Sequence, residues 1–217
     1  MKQVNDYIQS VFQPNDDELT EVLKSIRENN MPEISVSPNV GKILTMLVKI
    51  SRSKNILEIG ALGGYSGICL ARGFGKEGHL TSLEVNESFA QVSKQNHIRA
   101  GFEGQTTIMV GEALDTLKHL RESENSYDFI FIDADKKNYV NYLDYAIELA
   151  NPQALIVADN VLAGDTVFNA DLEDKRYTEA IRQFNEKVAS HPQLESTLIP
   201  SGDGITVSRV VKNENRE

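Results

Sequence analysis

Five short apolar runs, at 54–59, 79–84, 106–110, 128–132 and 154–158, recur along the chain with helical patterns between them. This alternation constrains the fold more than any other feature. Apolar runs bounded by helical segments build a parallel sheet buried on both faces by helices. The end of the chain departs from the alternation. Glu195–Ile199 and Ile205–Val211 flank Pro200-Ser201-Gly202-Asp203-Gly204, the pattern of an antiparallel hairpin. Five parallel strands and a terminal hairpin predict a seven-stranded, doubly wound α/β sheet. Ahead of it, residues 16–29 carry Leu19, Val22, Leu23 and Ile26 on one helical face, with acids in the first turn. A loop over Met31–Pro38 follows, with two prolines, and then helical spacing through Ile43, Leu44, Leu47 and Val48. At 217 residues the chain has room for one such domain. The expected division is a helical cap over 1–50, a core over 51–211 and a polar tail over 212–217 that frays.

Charge and cysteine content narrow the partners. There are 22 Lys and Arg against 32 Asp and Glu, a net charge of −10. Phosphate binding needs a basic face, so nucleic acid is disfavoured. Cys69 is the only cysteine and stands between Ile68 and Leu70, which reads as a small buried hydrophobe rather than a disulfide partner or metal ligand. Met1–Phe12 has no hydrophobic signal core, and runs such as Phe129–Ile132 are too short to span a membrane. The expected location is the cytoplasm.

The first apolar run leads into Glu58-Ile59-Gly60-Ala61-Leu62-Gly63-Gly64-Tyr65-Ser66-Gly67, a strand, a glycine-rich turn and a helix with Ser66 as its candidate N-cap. Glycines there let a ligand approach the backbone, and the carboxyl edge of a parallel sheet is where ligands bind. The spacing is not the pyrophosphate fingerprint, because Leu62 stands two residues after Gly60. Glu58 would repel a pyrophosphate but suits a cationic amino-acid moiety and a sulfonium. Glu84 closes the second run, 24 residues beyond Gly60, the separation at which a strand-end acid reaches a ribose diol. Read singly, each acid is an ordinary solvated strand end; together with the glycines they describe a nucleoside site. Ala113, after the third run, is small enough to line an adenine pocket, or simply starts a helix.

The fourth and fifth runs end in Asp133-Ala134-Asp135-Lys136 and Asp159-Asn160. Asp133, Asp159 and Asn160 supply the hard oxygen ligands that Mg²⁺ or Ca²⁺ requires, with positions left over for substrate oxygens. The alternative for Asp159-Asn160 is a turn or helix cap. Lys136 is a candidate base for a hydroxyl held at such a metal; its alternative is a surface lysine, the reading given to Lys137. His79, His97, His119 and His191 lack ligand spacing and read as surface or structural residues.

Taken together, Ile34-Ser35-Val36-Ser37-Pro38, the LEIGALGGYS turn, FIDADK, the Asp-Asn pair and the terminal GDGI turn resemble the metal-dependent class I O-methyltransferases that include the caffeoyl-CoA and catechol enzymes. The resemblance implies a Rossmann-like fold, S-adenosylmethionine as methyl donor and Mg²⁺ or another divalent cation such as Ca²⁺ or Mn²⁺. It implies donor contacts from Val36, Glu58, Gly60, Ala61, Ser66, Glu84, Ala113, Asp133 and Asp135. Asp133, Asp159 and Asn160 would hold the metal, Lys136 would be the base with Asp133 beside the substrate, the acceptor would be a small catechol or caffeoyl-type phenol, and the assembly a homodimer. Two features differ. Val161-Leu162-Ala163-Gly164 is shorter than the loop of the plant enzymes and lacks its Asn, and Ala134 replaces the His of the animal catechol enzyme; the two together argue against carrying over the substrate's identity, a CoA thioester in particular. Two rival functions remain, methylation of hydroxyuridine in tRNA and a non-catalytic relative of the fold; the acidic charge disfavours the first and the intact Asp133, Lys136, Asp159 and Asn160 the second.

Overall fold

The computed structural model describes residues 2–12 and 15–211; the tail expected to fray lies outside them. The elements run α1 (Lys2–Phe12), α2 (Asp17–Glu28), α3 (Pro38–Ser51), β1 (Asn55–Ile59), α4 (Tyr65–Ala71), β2 (His79–Glu84), α5 (Glu87–Arg99), β3 (Thr106–Val110), α6 (Ala113–Glu122), β4 (Tyr127–Ile132), a 3₁₀ turn (Lys136–Asn138), α7 (Tyr139–Leu149), β5 (Ala150–Asp159), α8 (Thr178–Ser190), β6 (Leu194–Ile199) and β7 (Ile205–Val210). The sheet order is β3-β2-β1-β4-β5-β7-β6. The first five strands are parallel, and β7 runs antiparallel between β5 and β6. This is the seven-stranded α/β sheet with a C-terminal antiparallel hairpin that the alternation predicts.

Strand pleating divides the apolar side chains between two cores. Leu57, Ile59, Ile130, Ile132, Ile156 and Ala158 pack under α6, α7 and α8. Ile56, Phe129, Phe131 and Val157 point the other way, against α2, α3 and α4. Each large side chain fully removed from water contributes on the order of 1.5–3 kcal/mol, so the central strands are anchored from both sides.

Local chemistry sets the ends of the helices. The Asp16 side chain accepts from the Leu19 N–H and caps α2. Ser37 caps α3 with Pro38 in its first turn, so this helix begins at the last residue of the loop expected over Met31–Pro38. Strand β5 is longer than the apolar run 154–158. It reaches back to Ala150 through a register shift in which Gln153 adopts φ 68°, a break that Pro152 accommodates because it donates no ladder hydrogen bond.

Between β1 and β4 the strand order reverses direction, since β2 lies to one side of β1 and β4 to the other. The loops leaving the carboxyl ends of these two strands diverge there and open a crevice, the usual position of a ligand site in such sheets.

Candidate active site

A cavity of about 960 Å³ occupies that crevice. Its floor is the turn after β1. Gly60 has φ 103°, and a Cβ built on it would lie 2.2 Å from the carbonyl oxygen of Asp133, so only glycine fits. The Asp133 N–H in turn donates to the Ile59 carbonyl at 2.9 Å, so the exits of β1 and β4 are in direct contact. Gly64, with φ 86°, is the N-cap of α4, and Tyr65 is its first residue. Ser66 is therefore inside the helix and not its cap. Its hydroxyl donates instead to Glu58 Oε1 at 2.6 Å.

Glu58 is completely buried. Its second oxygen accepts from the hydroxyl of Ser82, its register partner on β2, at 2.6 Å. Burial pushes the Glu58 carboxyl up to about 7, against the opposing pull of the two serine hydroxyls. Glu58 does not line the cavity; it stands behind the wall and ties the first turn of α4 to β2. Val36, Gly60, Ala61 and Ser66 do line it, as do Glu84 and Ala113 across the crevice. Glu84 Oε2 accepts from the Leu62 N–H at 2.8 Å and Oε1 from the Asn86 N–H at 2.9 Å. The carboxylate is thereby fixed at the cavity wall, with lone pairs left for a ligand.

The exit of β4 carries the other cluster. Lys136 Nζ donates to Asp133 Oδ1 at 2.8 Å, to the Ala134 carbonyl at 3.2 Å and to Tyr139 Oη at 2.8 Å. The Tyr139 hydroxyl reaches the main-chain oxygen of Asp159 at 3.0 Å. One phenol thus links the lysine to the ends of both β4 and β5. Burial, then the charges of Asp133 and Asp159, hold the Tyr139 phenol well above its usual range, so it stays protonated. Asp135 accepts from Tyr142 Oη at 2.5 Å and from Asn138 Nδ2 at 2.8 Å. Asp133, Asp135, Lys136 and Asn160 line the cavity.

Asp159 is 3% exposed and lies just behind it, accepting from the Asn160 N–H at 2.8 Å. Burial, then the nearby charge of Asp133, raises its carboxyl above the ordinary range. Asn160 adopts φ 59°, a left-handed conformation that Asn tolerates better than most residues and that turns the chain sharply at the strand exit. Among the described residues no group of three or more His, Cys, Asp or Glu side chains is placed to hold a metal ion. A cation here would rest on two carboxylates and an amide. That donor set is all oxygen, which fits Mg²⁺ or Ca²⁺, and it includes a buried carboxylate beside a like charge, which a cation would relieve.

Residues 9–211 match the sequence model of a family described as O-methyltransferase. The chain belongs to the O-methyltransferase family. It is 39% identical to a catechol O-methyltransferase of Niastella koreensis over 90% of this chain and 89% of that one. A caffeoyl-CoA O-methyltransferase of Populus trichocarpa is 34% identical over 88% of this chain and 83% of its own length. An O-methyltransferase from Bacillus cereus, solved in complex with S-adenosylhomocysteine, superposes with a TM-score of 0.87 at 37% identity, covering 96% of this chain and 97% of the other. The enzyme is accordingly an S-adenosylmethionine-dependent O-methyltransferase.

For an O-methyltransferase several cavity residues were not evident from the chain alone. Tyr142, one of them, stands two helical turns after Asp135, and the buried Tyr139 stands one turn after Lys136, spacings that the sequence carries. Ser35 Oγ is buried without a hydrogen-bond partner, and Ser35 lines the cavity. Asp203, in the turn before β7, also lines it and accepts from the Gly164 N–H at 2.7 Å. Arg176 and Lys137 line it too. Of the four histidines, His97 is fully buried, so its structural reading is the one the fold supports.

Proposed function

We propose that the enzyme moves the methyl group of S-adenosylmethionine to one hydroxyl of a small catechol-type phenol, with a divalent cation held by Asp133, Asp159 and Asn160. The observation that carries this reading is one cavity shared by the glycine turn and Glu84 on one side and Asp133, Lys136 and Asn160 on the other. The relatives named for catechol and caffeoyl-CoA supply the acceptor class.

In this reading Glu84 receives the ribose hydroxyls, Ala113 leaves room for the adenine, and Asp135 closes that end of the pocket. The Gly60-Ala61 turn, with Val36 and Ser66, surrounds the methionine end. Glu58 acts on the donor through Ser66 and through its position behind the turn. A bound divalent cation would orient two vicinal oxygens and acidify one. Lys136, positioned by Asp133 and Tyr139, would take that hydroxyl's proton on Nζ as the neutral amine, after giving up one of its own protons to solvent. The phenolate oxygen then attacks the methyl carbon as the carbon–sulfur bond breaks, releasing S-adenosylhomocysteine. Positioning supplies a large share of such an acceleration.

Turnover of catechol should vanish in EDTA and return with Mg²⁺, while donor binding measured by calorimetry survives chelation. Undiminished turnover after exhaustive chelation would remove the metal from the reading. Methylation of undermethylated tRNA with no catechol turnover would remove the acceptor.

A further inference from the structure

Two exposed cations line the cavity with no ionic partner among the described residues. Lys137 follows Lys136 in the 3₁₀ turn, and Arg176 stands just ahead of α8. Helix α8, two residues beyond Arg176, packs against that turn, and both residues line the one cavity. Among the described residues, neither has an ion pair or side-chain hydrogen bond, although the chain has 32 acids for 22 bases. Their neighbours are engaged. Lys136 is held by Asp133 at 2.8 Å. Asp203 has the Gly164 N–H and the nearby charge of Lys175. Arg182 fixes the approach to α8 by bonding Asp174 and the carbonyls of Thr166 and Val167.

We infer that Lys137 and Arg176 recognise an anionic substituent of the acceptor, a carboxylate borne on or close to the ring. The inference rests on the catechol reading above and specifies which catechols it covers. An unpaired guanidinium at a cavity wall is a fork suited to a carboxylate. A cationic side chain such as a catecholamine's would meet two like charges. Distance favours a carboxylate over a remote phosphate. The Cα atoms of Lys136 and Lys137 are about 3.8 Å apart, so the cationic wall begins beside the candidate base. A substituent close to the ring stays inside the cavity that both cations line, whereas a long thioester arm carries its phosphates farther from the reacting hydroxyls.

The test compares kcat/KM for caffeate, its methyl ester, dopamine and caffeoyl-CoA, all of which carry vicinal hydroxyls. Caffeate should exceed its neutral ester by roughly three- to tenfold, the range for a charge-assisted contact partly open to solvent. R176Q and K137Q should each shrink that ratio, and R176E should move the preference toward dopamine. Added salt should shrink the ratio as well, because the contact is exposed. Equal rates for caffeate and its ester in the unmodified enzyme, or an equal loss on every acceptor in R176Q, would overturn the inference and leave the catechol reading standing. Selective loss on caffeoyl-CoA alone would overturn the carboxylate assignment in favour of a phosphate. Turnover of none of the four would overturn the catechol reading and the inference together.

Discussion

Glu58→Gln isolates the energetic consequence of a carboxyl buried behind the donor turn. In the folded chain burial holds this group at about 7, against an ordinary value of 4.5. Between those two pH values the folded protein keeps a proton that the unfolded chain has released. Stability must then fall as pH rises, because the native state binds the extra proton. The contribution is fully present below about pH 4.5 and is lost as pH passes 7. About two and a half decades of pH, at about 1.36 kcal/mol each, give a loss on the order of 3 kcal/mol. The glutamine has the same shape, can still meet Ser66 and Ser82, and has no proton to lose. Asp159 is raised in the same direction, but it is present in both proteins and cancels in the difference. Urea unfolding of the wild type and E58Q, in EDTA at intervals from pH 5 to pH 8, gives that difference directly. The wild-type advantage should decline steadily across the interval, by about 2–3 kcal/mol. A difference that stays flat, or grows with pH, would show that Glu58 is ionised in the fold throughout and that the two serine hydroxyls outweigh its burial.

Two further substitutions probe the donor and the base. Glu84→Ala should weaken S-adenosylmethionine by roughly 1.5–3 kcal/mol, the scale of a hydrogen bond to a charged group, and calorimetry with unchanged affinity in a folded variant would remove Glu84 from the ribose. Lys136→Ala should lower kcat on catechol by about 10²–10⁴, the usual range for general acid–base catalysis, with a smaller loss on nitrocatechols, whose hydroxyl ionises without help; wild-type kcat on catechol would leave deprotonation to metal and solvent.

The sheet was legible because each central strand is apolar on both faces, and a run such as Phe129–Ile132 has no alternative burial. Strand-end acids were legible for a related reason: a carboxylate directly after such a run stands at the carboxyl edge of the sheet, where Glu84 and Asp133 line the cavity. What the sequence hid depends on which face a residue takes. Glu58 falls on the α4 side of β1 because Leu57 and Ile59 occupy the other side, and that same alternation turns it away from the cavity. The helix expected to begin at Ser66 begins at Tyr65, since the left-handed Gly64 reverses the chain first. Strand β5 extends beyond its apolar run because pairing with Tyr127 overrides the poor strand propensity of Pro152 and Gln153. Arg176 and Lys137 come to line one cavity through the fold, since they lie 39 residues apart and local pattern does not encode their meeting.

The contact between Gly60 and the Asp133 carbonyl has a consequence for how such an enzyme can change. The donor turn and the residue facing the acceptor have no slack between them, because even a methyl group at position 60 would meet that carbonyl at 2.2 Å. Drift at either position is transmitted to the other, so the two must be inherited as a unit. The irregular stretch between β5 and α8 is tied elsewhere, to the turn before β7, where the Val161 and Leu162 N–H groups donate to the Gly204 and Asp203 carbonyls. New acceptors are most simply acquired there, by exchanging a loop around an unaltered transfer centre. A chimera carrying a relative's residues 161–177 should therefore adopt that relative's preferences while its affinity for the donor remains its own.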